Sequence, residues 1–189
     1  GGAGSGKSVA ATDKLLLRII TEPGHRMLAV RKVARTLRQS VFQLLKQRCS
    51  SIFSNVQWSF AETDMRVINT ANGNEIICAG IDDPEKIKSI AGITGVWCEE
   101  ATELNEEDFN QLELRIRGET SFYKQFILTF NPVHEDSWLK KRFYDQKDDD
   151  VYFLRTTYRD NAFLDAEYIK HLEQRVSSNE QLYRVYVLG

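Results

Sequence analysis

Apolar positions along the chain follow two spacings, and the switches between them mark the elements. From Lys7 to Ile20, Val9, Leu16 and Ile20 fall on one stripe of a 3.6-residue period, uninterrupted by Pro or Gly. This predicts a helix, which Pro23-Gly24 stops. Met27 to Val33 predicts a short strand, and Ser40 fits an N-cap before a helix carrying Val41, Leu44 and Leu45. Met65 to Thr70 and Glu75 to Ala79 flank Asn72-Gly73, the composition of a hairpin turn. Asp82-Asp83-Pro84 turns the chain again. Ile93 to Cys98 predicts an apolar strand, Glu106 to Arg117 a helix, and Gln125 to Phe130 a buried strand ended by Asn131-Pro132. A helix from Ser137, a strand over Val151–Thr157, and helices over Asp165–Ser177 and Asn179–Leu188 complete the pass. Strands alternating with helices predict an α/β domain with a mainly parallel central sheet and one antiparallel hairpin.

Composition narrows the class. With 189 residues, 42% hydrophobic and 28% charged, the chain has the profile of one globular domain. No uncharged apolar run approaches the ~20 residues of a membrane span. Cys49, Cys78 and Cys98 form no CxxC pair and no set with nearby histidines, which speaks against a disulfide framework or a zinc site. His25, His134 and His171 are scattered and read as structural or solvated. The net charge of −2 hides an asymmetry: no Asp or Glu lies between Glu22 and Glu62, a stretch holding Arg26, Arg31, Lys32, Arg35, Arg38, Lys46 and Arg48. Such a segment predicts either a patch that meets something anionic or a solvated helix face.

The first eight residues, Gly1-Gly2-Ala3-Gly4-Ser5-Gly6-Lys7-Ser8, satisfy G-x-x-x-x-G-K-[ST] in full. Glycines let successive backbone N–H groups converge on a phosphate without Cβ clashes, and the helix that follows offers its unpaired N–H groups to the same anion. Gly2, Ala3, Gly4, Ser5, Gly6, Lys7 and Ser8 are therefore the expected nucleotide-binding residues. Lys7 would reach the β- and γ-phosphates and the Ser8 hydroxyl would ligate Mg²⁺. A nucleoside triphosphatase also needs carboxylates at the end of a neighbouring strand. Glu99 and Glu100 close Val96-Trp97-Cys98; Glu99 would be the metal-side acid and Glu100 the water-positioning base, the alternative being an acidic helix start. Thr129 and Asn131, ending the next strand, would either sense the γ-phosphate or simply form a turn.

Together these residues resemble the ATPase domain of phage terminase large subunits. The likeness rests on the loop at 1–8, Arg31-Lys32 followed by Thr36 to Ser40, Gly80 to Ser89, Trp97 to Ala101, Leu128 to Pro132, and Thr157 to Asn161. It implies a three-layer P-loop NTPase domain over 1–189 that uses ATP and Mg²⁺. It also implies double-stranded DNA as the moved substrate, with portal protein and small terminase subunit as partners. The work would be done by a homo-oligomeric ring on the procapsid in the host bacterial cytoplasm, with no membrane involved. The family places a strand and an adenine-binding segment ahead of the loop and a nuclease domain after the ATPase; none of these is expected within 1–189. Ala3 stands where some members carry an arginine inside the loop. An arginine finger, worth about 10³–10⁵ in turnover, is then expected to act across a subunit interface. The candidates are Arg31, Arg38, Lys88 and Arg159, with Arg35, Lys86 and Arg155 behind them. Two other readings of the loop stay open, a small-molecule kinase and a nucleotide-gated binding module.

Overall fold

The computed structural model describes residues 1–131, 136–176 and 183–188. It divides into two compact units, one formed by Ser8–Thr129 and the other by Gly1–Lys7 with Phe130–Gly189.

The larger unit is built on a six-stranded sheet. Its elements run α1 (Lys7–Thr21), β1 (Arg26–Arg31), α2 (Ala34–Leu37), α3 (Val41–Ser51), β2 (Trp58–Ala61), β3 (Arg66–Asn69) and β4 (Glu75–Gly80), then α4 (Pro84–Ser89), β5 (Gly95–Glu99), α5 (Glu106–Glu113) and β6 (Gln125–Thr129). The strand order is β2-β3-β4-β1-β5-β6. Strands β4, β1, β5 and β6 are parallel, while β2, β3 and β4 form an antiparallel meander. The hairpin turn falls at Asn72-Gly73 as expected, with Gly73 at a φ of +75° that favours glycine. Parallel strands are covered on both faces, which explains why β4 and β5 are buried at every residue. One face packs Met27, Ala29, Ile76, Cys78 and Trp97 against Leu15, Leu16 and Ile19 of α1 and Phe42 and Leu45 of α3. On the other face Phe109 of α5 meets Phe126 with ring centroids 4.9 Å apart. Helix, sheet and helix make three layers.

The register aligns the carboxyl ends of the parallel strands, pairing Arg31 with Gly80 and Glu99 with Thr129. In open α/β sheets ligands bind outside this edge. Gly80 is required there by close approach: a Cβ would lie 2.3 Å from the Ala34 backbone nitrogen. That nitrogen donates to the Asp82 carboxylate at 2.9 Å. At the amino edge the polar groups satisfy one another. His25 is buried, its ring bonded to Thr94 at 2.9 Å and to Glu22 at 2.6 Å.

Several expectations are corrected. The basic residues of the acid-free segment, exposed Arg35 apart, are paired with acids from elsewhere in the chain. Arg26 pairs with Glu75, Arg31 with Glu103, Lys32 with Asp108, Arg38 and Lys46 with Glu62, and Arg48 with Asp13. The acids are remote in sequence, so the segment's own composition could not reveal them. Ser40 is not a side-chain N-cap; its hydroxyl donates back to the Thr36 carbonyl at 3.0 Å. The helix expected to reach Arg117 ends at Glu113.

In the smaller unit, α6 (Ala166–Val176) and a π-type turn at Tyr183–Leu188 enclose a small core. There Tyr158 and Val187 meet Leu164, Ile169 and Leu172. The helix expected from Ser137 is present and short: residues 138–139 are α-helical and Lys140–Tyr144 continue with π geometry. Residues 151–157 do not form the expected strand. Thr156 accepts the Gly2 N–H at 2.8 Å, but no ladder develops among the described residues, and Tyr152 is 85% exposed. Pro132, His134, Ser177 and the Asn179 start of the expected last helix lie outside the described residues.

Candidate nucleotide site

In the smaller unit the glycine-rich loop is held open from several sides. Gly4 and Gly6 adopt φ values of +69° and +75°, conformations that reverse the chain and that L side chains rarely take. Lys7 donates from Nζ to Asn131 Oδ1 at 2.9 Å and to the Gly2 carbonyl at 3.4 Å. The loop lysine and the Asn131 amide just past β6 are thus direct partners. Ser5 is buried, and its hydroxyl has no hydrogen-bond partner among the described residues. Asn161 reaches the loop as well, donating from Nδ2 to the Gly4 carbonyl at 2.7 Å. The sequence singles out Asn161 only as the end of the Thr157–Asn161 segment of the family resemblance; a contact spanning 157 residues has no local signature.

In the larger unit, at the carboxyl edge of the sheet, Glu99 is 8% exposed and faces the hydroxyls of Ser8 and Ser40. Burial is the main cause that raises its pKa above the ordinary carboxylate value. Arg31 and the two hydroxyls act in the opposite direction, and neighbouring Glu100 adds to the rise. Arg31 does not neutralise Glu99 by direct bonding. Its guanidinium lies 3.8 Å from Glu99 and spends two N–H groups on Glu103, at 3.0 and 3.1 Å. The bonds to Glu103 are the first cause of the raised Arg31 pKa. Glu99 Oε2 is left buried without a hydrogen-bond partner among the described residues.

Glu100 sits at φ 50° and ψ 54°, left-handed backbone that is costly for a glutamate. It turns the chain sharply out of β5 into a 3₁₀ turn at Ala101–Glu103, and its side chain makes no cap bond. Thr129, expected to present its hydroxyl to a γ-phosphate, has it turned into the sheet instead, where it accepts the Trp97 indole N–H at 2.9 Å. Ser40 and Glu103 are neighbours of Glu99 and Arg31 that sequence reading did not select; Ser40 was absorbed by its expected capping role. Burial pushes the Cys78 thiol up to about 12 and Cys98 higher still, so neither is a nucleophile.

The finger candidates differ in what holds them. Arg31 is committed to Glu103, and Arg38 donates to the Glu62 carbonyl at 2.7 Å. Arg159 bonds the Tyr158 hydroxyl at 3.2 Å. The Lys88 side chain, on α4, makes among the described residues only an exposed pair with Glu85 at 3.0 Å.

Comparison with known proteins finds relatives along the whole chain. A terminase large subunit of Bacillus phage SPP1 is 31% identical over 199 residues, covering 100% of this chain and 47% of the relative. The PBSX phage terminase large subunit of Bacillus subtilis (strain 168) is 29% identical over 204 residues, covering 98% and 46%. The chain thus spans just under half the length of these curated relatives. Among solved structures, the large terminase of a thermophilic bacteriophage superimposes with a TM-score of 0.82 at 20% identity, covering 100% of this chain and 46% of that one. The same phage protein has been solved in complex with ADP and with ATP-γ-S. The family described as phage terminase large subunit matches residues 1–189, and the chain belongs to that family.

Proposed function

We propose that the chain is the ATPase domain of a phage DNA-packaging motor, hydrolysing Mg·ATP to drive double-stranded DNA into a procapsid. The observation that carries the reading is Glu99: a carboxylate buried beside the Ser8 hydroxyl, with one oxygen unmatched by any hydrogen bond. A buried carboxylate oxygen with no hydrogen bond, and with its one guanidinium neighbour 3.8 Å away, is costly unless a second cation completes it. Its donors, one carboxylate and one hydroxyl, suit Mg²⁺, which is commonly held by one or two carboxylates plus substrate phosphates. Ser8 and Glu99 would hold the ion. Bound there, it supplies neutralisation of the charge that develops on the transferring phosphoryl oxygens.

The chain's own residues do the rest. The backbone N–H groups of Ala3 through Lys7 cradle the phosphates, the Gly2 N–H being held by Thr156, and Lys7 leaves Asn131 to neutralise them. Asn131 thereby registers the arrival of nucleotide and passes it to the segment that follows β6. Glu100, on its left-handed backbone, orients the attacking water and takes its proton. Thr129 acts by anchoring the end of β6 to Trp97. The stabilising cation in trans comes from a neighbouring subunit of a ring. Lys88 is the candidate most easily redeployed, because an exposed ion pair is worth only about 0–1 kcal/mol. Portal protein and the small terminase subunit are the partners of that ring, which works in the host cytoplasm. Among the described residues no helix is long and apolar enough to cross a membrane.

Phosphate release from ATP tests the reading, measured with and without duplex DNA for the parent and for Glu100→Gln. Hydrolysis that rises with DNA and is lost in the variant is expected. Phosphoryl transfer to a small acceptor that survives Glu100→Gln would assign a kinase instead. Turnover per subunit that rises with protein concentration, and does so less in Lys88→Ala, is expected if the finger acts in trans.

A further inference from the structure

We infer that Asn161 is a positioning residue of the phosphate loop, fixing the Gly4–Ser5 peptide so that the Ser5 N–H is presented to phosphate before nucleotide arrives. The inference rests on the reading of residues 1–8 as the phosphate site and concerns only the smaller unit.

Three observations build it. Asn161 stands on a rigid base. The 3₁₀ turn Tyr158–Asp160 is locked by a reciprocal cap, in which the Asp160 carboxylate accepts the Thr157 N–H at 2.7 Å while the Thr157 hydroxyl accepts the Arg159 N–H at 3.2 Å. Tyr158, buried, donates its hydroxyl to Glu173 of α6 at 2.6 Å. The orientation of the Asn161 amide is also determined. Its Oδ1 accepts the Phe163 N–H at 3.1 Å, which leaves Nδ2 as the donor to the Gly4 carbonyl. Finally, the peptide plane transmits the contact. Across a trans peptide the C=O and the following N–H point in opposite directions. A Gly4 carbonyl drawn toward Asn161 therefore turns the Ser5 N–H away from it.

The left-handed φ values at Gly4 and Gly6 bracket that peptide, in the kind of backbone concavity that binds anions. The outer side of the loop is closed by the same segment: a Cβ on Gly4 would lie 2.9 Å from the Tyr168 ring and 3.2 Å from Leu164. Asn161 also lies beside Gly6, where a Cβ would stand 3.6 Å from its Nδ2. A loop restrained in this way loses less conformational freedom when it closes on an anion, and affinity gained by such preorganisation is independent of the base.

The test is calorimetric titration of the protein with ADP and with inorganic pyrophosphate, comparing the parent with Asn161→Leu and Asn161→Asp. Leu keeps the bulk without the donor. Asp keeps the shape and polarity if the Leu variant does not fold. Loss of one positioning hydrogen bond predicts Kd values about tenfold weaker, by the same factor for ADP and for pyrophosphate. The ligand-free thermal midpoint should stay within a few degrees of the parent. Kd values within twofold of the parent, or a loss confined to ADP, would overturn the assignment. Lys7→Ala separates the two levels. If it abolishes binding while the Asn161 variants bind normally, only the positioning role falls; if it binds as the parent does, the loop is not the phosphate site and both fall.

Discussion

Two glutamates are buried in the parallel part of the sheet, at opposite edges of it. Glu75 opens β4 and Glu99 closes β5, and they are 6% and 8% exposed. Glu75 is saturated: Arg26 donates to one oxygen at 2.7 Å, and Arg66 donates to the other through two nitrogens. Glu99 has one guanidinium nearby, at 3.8 Å, whose hydrogen bonds go to Glu103. The same side chain at equal burial is neutralised within the fold at one edge and left short of a counter-charge at the other. Burial alone therefore does not mark a functional carboxylate; the proposed role of Glu99 rests on burial together with an unmatched oxygen beside a hydroxyl.

The largest expected contrast is in turnover. Glu99→Gln and Glu100→Gln should each lower ATP hydrolysis by roughly 10²–10⁴, with thermal unfolding nearly unchanged. At the other edge the effect should move to stability. Glu75→Gln leaves Arg26 and Arg66 facing a neutral amide and should cost about 3 kcal/mol in urea unfolding, while the folded fraction still binds nucleotide. An intermediate loss, about 2 kcal/mol by the same measurement, is expected for Gly80→Ala, since its Cβ would meet backbone at 2.3 Å rather than a flexible side-chain tip.

The smallest effects are slopes with pH, and they have opposite signs at the two edges. Burial is the first cause holding the His25 pKa below the usual 6.5, against the pull of Glu22. The unfolded chain therefore binds more protons just below pH 6.5. This contribution to stability is complete above 6.5 and is lost as pH falls toward the lowered folded value. Glu99 has a raised folded pKa, so here the folded state holds the extra proton, and stability falls as pH rises above the ordinary carboxylate value of 4.5. Urea unfolding across pH should show the first slope vanish in His25→Gln and the second vanish in Glu99→Gln.

What could be read from the sequence follows from how local each signal is. The phosphate loop, the apolar strands around Leu28, Ile77, Val96 and Ile127, and the Glu99-Glu100 pair are written in consecutive residues. Strand β2 has no such signal, because Trp58–Ala61 is four residues at the sheet edge with only partial burial. The segment 151–157 has strand-like composition but no ladder among the described residues, and composition cannot supply a partner. The basic run between Glu22 and Glu62 looks like a surface because its carboxylates, Glu75, Glu103 and Asp108 among them, come later in the chain. The same reason hides Ser40 beside Glu99 and Asn161 beside Gly4: each meets its partner through the fold.

Whether Glu99 and Ser8 hold the metal of a nucleotide site is tested most directly by titrating ADP into the parent and into Glu99→Gln, with and without Mg²⁺. Equal affinities without the ion, and a Mg²⁺-dependent gain that only the parent shows, are the expected result. An equal gain in the variant would contradict the assignment.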